Sequence, residues 1–349
     1  MSDSRTDFTI RGRHIGRRSP PYFVAELGTC HQGNLEKALT FTRAAAKAGA
    51  DCIKTELFNE KEVFDPSAQK TFSIRGKEYS IPLIDHMRAT QLSLDEHRKI
   101  KEESERLGLP FMATAHDFER VDFLSDIGAE AVKIASPDII HFPLIRYAAQ
   151  SGMALFLDTG GAFEHEVEAA AQVAREAGCE RLAINHNPAG HPAPPEGHDL
   201  RIIPRLAEIL QCPIGLSDHY DGYEMAYAAV AVGACIIEKP ITDNRFFEAV
   251  EHIWAIDLND LNEVIATIKA VYTALGNDHR GEPGKRPENP HRVSLVASRD
   301  IKPGEHLSLE NVEFGKPRLG IGVEHWDKID GRPVSKAIKK GAFIQWGDF

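Results

Sequence analysis

"ACIIEKPITD", residues 234–243, opens as an apolar run and passes straight into Glu238, Lys239 and Pro240 with no turn between. Four apolar residues in a row fit a strand covered on both faces, and the charges that finish it put polar chemistry at its carboxyl end. The same design recurs along the chain. "YFVAELG" (22–28), "DCIKTEL" (51–57), "LPFMATA" (109–115), "AEAVKIAS" (129–136), "MALFLDTG" (153–160), "RLAINH" (181–186) and "PIGLSDH" (213–219) are short, β-rich and continuously apolar. Helical patterns separate them. "LEKALTFTRAAAKAGA" stops at Gly49, a C-cap residue, and "SLDEHRKIKEESERLGL" opens with the Ser93/Glu96 spacing of a capping box. Eight strands alternating with helices over about 250 residues have the count and size of an α/β (β/α)8 TIM barrel. A doubly wound open sheet would carry G-x-G-x-x-G after its first strand, and none follows "YFVAELG".

Residues 58–92 form a long insertion after the second strand, placed to lie over the catalytic face. "DHRGEPGKRPENPHR" has the glycine, proline and charge content of a linker, and a different rhythm of short strands and turns begins near 293. The expected organisation is a barrel over 1–277, a linker over 278–292 and a small β-rich domain over 293–349.

A formal net charge of −11 argues against a nucleic-acid or anionic-membrane binder, since either needs an extended basic surface. No stretch approaches the ~20 apolar residues that span a bilayer. The first residues lack the apolar core of a secretory signal, and five scattered cysteines with no C-x-x-C pair suit a reducing compartment. The expected location is cytoplasmic, with small molecules as partners.

Barrel enzymes hold their chemistry at the carboxyl ends of the strands. Those ends carry Glu26; Lys54 and Glu56; Thr114; Lys133 and Ser136; Asp158; His186; Ser217, Asp218 and His219; and Glu238 and Lys239. Any one of them is more often a paired structural group than a catalytic one. A full ring is a site. Lys54, Lys133, Thr114 and Ser136 combine cations with hydroxyl donors and suit a phosphate or carboxylate. His186 and His219 end neighbouring strands, where imidazoles bind a divalent metal, move protons or serve structure. Glu26 and Glu238 are candidate bases or metal-orienting carboxylates.

"FVAELGTCHQGNLEKALTFTRAAAKAGADCIKTELF", "GLPFMATAHDFERVDFLSDIGAEAVKIASPDI", "INHNPAGHPAP" and "IGLSDH" resemble, in order, the strands of the sialic acid (N-acetylneuraminate) synthase family. The tail "SLVASRDIKPGEHLSLENVEFGKPRLGIG" resembles that family's C-terminal antifreeze-like (SAF) domain, and spore coat polysaccharide biosynthesis proteins share the pattern. The resemblance implies a transferase that condenses phosphoenolpyruvate with an amino-sugar aldehyde into a nine-carbon 2-keto acid and releases phosphate. It implies a homodimer with exchanged SAF domains. By the same resemblance Lys54, Thr114, Lys133, Ser136 and Ser217 fall on phosphoenolpyruvate-binding positions, His219 on a metal-binding histidine, and Asp138 near the sugar.

Several positions depart from the family pattern. Pro240 stands where the second metal histidine belongs and offers no ligand atom, so manganese or magnesium would need His186, Glu238 or His191 instead, or be lost. His191 takes the place of a sugar-binding tyrosine, Asp158 that of a phosphate-side serine, Glu56 that of a glutamine, and Glu251 that of an aspartate. Lys316 replaces an arginine that reaches the partner's pocket, keeping the charge without the planar fork. Two other readings stay open: an aldolase or lyase working on an anionic sugar acid, and a non-catalytic binder of such an acid.

Overall fold

The structure, a computed structural model, describes residues 7–63, 65–276 and 289–349. Most of the expected linker lies outside these residues. Two compact units divide the chain, Met1–Gly276 and Asn277–Phe349.

In the first unit eight parallel strands close a ring: β1 (Tyr22–Glu26), β2 (Cys52–Leu57), β3 (Phe111–Ala115), β4 (Ala131–Ile134), β5 (Ala154–Asp158), β6 (Leu182–His186), β7 (Ile214–Ser217) and β8 (Ile236–Thr242). Each pairs with the next, and β8 pairs with both β7 and β1. Helices between them cover the outer face; Leu35–Ala48 ends on Gly49 at φ 85°, and Leu94–Arg106 starts from the Ser93/Glu96 capping box.

Because side chains alternate along a strand, each strand sends one set inward and the other toward the helices. The inward set is layered. Val24, Cys52, Met112, Ala131, Ala154, Phe156, Ala183 and Ile236 pack into one apolar cluster with Phe8, Ile10 and Ile15 of the N-terminal hairpin. Above this floor the same parity brings Glu26, Lys54, Glu56, Thr114, Lys133, Asp158, Asn185, Ser217 and Glu238 to the mouth. Register explains their meeting: Glu26 sits opposite Lys54, Glu56 opposite Thr114, Thr114 opposite Lys133, Asp158 opposite Asn185, and Ser217 opposite Glu238.

Pro240 lies inside β8, opposite Glu26 of β1. A proline inside a closed sheet normally deletes a ladder hydrogen bond. Here the β7–β8 pairing stops at Ser217–Glu238, and the Glu238 carbonyl accepts from Asp218. Backbone alternation then points the Pro240 nitrogen past the end of that ladder, where a donor is not required.

The insertion after β2 is a folded hairpin, Gln69–Ile74 with Lys77–Pro82, followed by the helix Leu83–Thr90. Phe72 and Ile74 pack with Val250, Ile253 and Trp254, and the amide of Ser73 donates to the His191 carbonyl at 3.0 Å. The second unit has its own apolar core, including Leu295, Ile301, Leu307, Ile321, Ile329 and Ile344, around the pair Ser294–Ala297 and Val312–Gly315.

Candidate active site

A cavity of about 520 Å³ opens at the carboxyl ends of the strands. Its wall includes Glu26, Lys54, Thr114, Lys133, Ser136, Asp158, His191, Ser217, His219, Glu238 and Glu251. These come from all parts of the barrel chain, as expected from the sequence.

The floor is a buried charge cluster. Lys54 Nζ contacts Glu26 Oε1 and lies 3.3 Å from Glu238 Oε1. Lys133 Nζ contacts Asp158 Oδ2, lies 2.5 Å from Glu238 Oε1, and reaches Ser217 Oγ at 3.5 Å. Burial works against both ammoniums. Glu238 and Glu26 around Lys54, and Asp158 and Glu238 around Lys133, outweigh it and hold both above the ordinary lysine range. Burial also opposes ionisation of Glu238, but the two lysines bring it down to about 2. Glu26 is pushed up by burial to about 8, with Lys54 only partly opposing. Burial raises Asp158 as well, against the pull of Lys133. Its oxygens accept from Asn185 Nδ2 at 3.2 Å and Asn187 Nδ2 at 2.9 Å.

The opposite wall is aromatic. The rings of His191 and His219 lie 4.7 Å apart, with Trp254 5.7 and 6.1 Å from them. Burial pushes His191 down to about 4 and His219 well below the usual imidazole range, so both are neutral. Glu251 accepts from the Thr29 amide at 2.5 Å and hydroxyl at 2.9 Å.

Several expectations need correction or separate placement. His186 does not line the cavity; its Nε2 lies 2.6 Å from the His198 carbonyl. Asn185 faces Asp158 in the lumen, so the next residue on the strand turns outward. The same parity puts Asp218 and Lys239 in an outer layer, where they pair at 2.8 Å and His198 Nε2 lies 3.4 Å from Asp218. Asp138 reaches the wall indirectly, through His116 Nδ1 at 2.8 Å. Lys316 belongs to the second unit, just after the strand Val312–Gly315.

The donors present do not fit the two-histidine metal site that the resemblance implies. Among the described residues His219 Nδ1 is buried without a hydrogen-bond partner, but Pro240, opposite Glu26 in β8, offers no ligand atom and His186 faces away. Among the described residues no group of three or more His, Cys, Asp and Glu is placed to hold a metal ion.

Lys70, His116 and Asn187, all on the cavity wall, are not among the residues the sequence singles out. Lys70 comes from the hairpin. His116 and Asn187 keep the inward parity of Thr114 and Asn185 just beyond the strand ends, and counting on by two would have found them.

The NeuB family profile matches residues 41–280, and the SAF domain profile matches 292–349. The chain belongs to the NeuB family. It is 30% identical to pseudaminic acid synthase of Campylobacter jejuni, over 94% of this chain and 96% of that one. It is 28% identical to N,N'-diacetyllegionaminic acid synthase of the same species, over 92% and 98%. The solved structure of N-acetylneuraminic acid (sialic acid) synthetase from Leptospira borgpetersenii, in complex with citrate, superposes with a TM-score of 0.72 at 28% identity, covering 80% of this chain and 93% of that one. This NeuB chain is thus a (β/α)8 barrel followed by a SAF domain, an enzyme of the sialic acid synthase type. Among its described residues no helix is long and apolar enough to cross a membrane.

Proposed function

We propose that the protein condenses phosphoenolpyruvate with an amino-sugar aldehyde, forming a nonulosonic 2-keto acid and releasing phosphate. The relatives' names support a nonulosonic acid as product. The observation that carries the co-substrate is the pair Lys54 and Lys133, set with Thr114, Ser136 and Ser217 around one cavity. Burial drives Glu26 toward its neutral form and works in the same direction on Asp158, which leaves the two ammoniums of Lys54 and Lys133 less fully compensated by carboxylates. That balance suits a small molecule bearing both a carboxylate and a phosphate.

In this reading the lysines orient the enol phosphate, and Thr114, Ser136 and Ser217 donate to its oxygens. Neutral Glu26 adds an O–H donor that its ionised form would withhold. The sugar lies toward His191, Glu251 and Asp138, with His219 and Glu238 against the reacting end. Homodimerisation with exchanged SAF domains, bringing a partner's Lys316 to the sugar, belongs to the same proposal. Light scattering that finds a monomer would remove that part.

A Schiff-base aldolase fits less well. It needs a neutral lysine, whereas both lysines sit against carboxylates that keep them charged.

Purified protein given phosphoenolpyruvate and a panel of 2-acetamido and diacetamido hexoses, with and without manganese, should release inorganic phosphate in step with a 2-keto acid. No release across the panel would overturn the proposal.

A further inference from the structure

His219 stands where the two sides of the cavity meet. It follows Ser217 by two residues at the end of β7 and keeps the inward parity of Ser217 one step further along the wall. On one side, Ser217 Oγ lies 3.5 Å from Lys133 Nζ and 3.4 Å from Glu238 Oε1, on the charged floor. On the other, the His219 ring lies 4.7 Å from that of His191, on the side assigned to the sugar. The His219 carbonyl accepts from the Ala193 amide at 2.9 Å, and Trp254 backs both rings. The enol carbon of one co-substrate and the aldehyde carbon of the other have to meet at this height.

The surroundings of the ring are not those of a metal ligand. A histidine that binds a metal through one nitrogen carries its proton on the other and donates it to a carboxylate, a carbonyl or a water. Among the described residues His219 Nδ1 is buried with no hydrogen-bond partner. Asp218, next to it in the chain, turns its carboxylate outward to Lys239 at 2.8 Å. A proton on Nδ1 would be a buried donor without an acceptor, a rarer defect than an unused lone pair. A doubly protonated ring has the same defect. The single proton therefore belongs on Nε2, on the edge of the ring opposite Nδ1, and His219 presents that edge to the cavity it lines.

We infer that His219 donates a hydrogen bond through Nε2–H to the acceptor's carbonyl oxygen, and that condensation needs no divalent metal on this imidazole; the inference rests on the condensation reading above. A neutral imidazole polarises a carbonyl by donating its N–H without giving the proton up. The enol π pair of phosphoenolpyruvate bonds C3 to the aldehyde carbon, and the carbonyl π pair moves to the oxygen held by Nε2–H. Water adds to the cationic C2, and the proton it loses turns the alkoxide into a hydroxyl. The C2–O bond to the phosphate then breaks, the C2 hydroxyl becomes the ketone, and its proton leaves on the phosphate. His219 ends with the proton it began with. Pro240 agrees with this role, because a second imidazole there would favour a metal that takes Nε2 for itself.

Three measurements test the inference. Wild type stripped with a chelator and assayed in metal-free buffer should release phosphate within a few-fold of the same enzyme given manganese. A drop of about 100-fold or more that manganese restores overturns it. His219→Ala should lower kcat about 100-fold or more, as loss of one oxyanion donor does, and leave the KM for phosphoenolpyruvate within a few-fold. A folded His219→Ala enzyme within a few-fold of wild type overturns it. Nitrogen NMR of the histidine rings, with the His219 signals identified by their loss in His219→Gln, should find the wild-type proton on Nε2. A proton on Nδ1 overturns the inference whether or not the alanine variant folds. A wild type that releases no phosphate, with or without manganese, overturns the condensation reading and takes the inference with it, a result distinct from the other three.

Discussion

Lys133 Nζ and Glu238 Oε1 lie 2.5 Å apart, joining the fourth and eighth strands across the barrel mouth. The same oxygen lies 3.3 Å from Lys54 Nζ, so one carboxylate serves two buried ammoniums. Glu238→Gln would leave both cations with half their compensation. Breaking a buried ion pair by removing one partner costs about 3–5 kcal/mol. Denaturant unfolding should show a loss of that order, with phosphate release falling about 100-fold or more. Unchanged stability would mean that the lysines do not carry the charges assigned here.

Asp158 puts a carboxylate beside Lys133 where a phosphate would bind. Asp158→Ser should lower the KM for phosphoenolpyruvate several-fold, since one like charge near the ligand is worth on the order of 1 kcal/mol or more in a partly solvated site. The gain should grow with pH, as ionisation of the wild-type aspartate increases. A higher KM at every pH would make Asp158 a supporting partner of Lys133 instead.

Pro240 occupies an inward position beside Glu26, next to the strand that leads into His219. Pro240→His would supply the second imidazole of a metal pair. Calorimetry should find manganese binding to that variant at least about ten-fold tighter than to wild type, a nitrogen ligand having been added to His219. Equal affinity would point to a different ligand set.

Stability should fall in mild acid through buried neutral imidazoles. Burial pushes His31 and His252 down to about 4 and His97 to about 3. Between those values and 6.5 the unfolded chain binds more protons than the fold, so stability rises with pH across this window and is lost as pH drops through it. Each histidine contributes on the order of 3 kcal/mol at full extent. His97→Gln should flatten the pH 4–6.5 slope of the unfolding free energy by nearly one proton; an unaltered slope would refute the assignment.

The eight strands, the barrel and the capped helices were legible because they rest on local signals. Apolar runs of a few residues, the Ser93/Glu96 box and Gly49 each act within a turn or two of chain. Most of the site was legible for a related reason. Polar residues of inward parity at the end of a buried strand gather at the barrel mouth, and Glu26, Lys54, Thr114, Lys133, Asp158, Ser217, His219 and Glu238 all line it.

Which polar residue of a neighbouring pair faces inward was another matter, and tertiary structure alone decided it. Strands buried on both faces show no alternation of apolar and polar residues, so their phase is invisible until the ring closes and register is set. For that reason the sequence points to His186 where Asn185 and Asn187 hold the lumen, and gives no sign of His116 beside Thr114. The pairing of charges is likewise a property of closure. Sequence by itself determined which groups stand at the strand ends; only the fold decided which of them face the mouth, that Glu238 is shared, that Asp158 meets Lys133, and that His116 lies between Glu56 and Asp138.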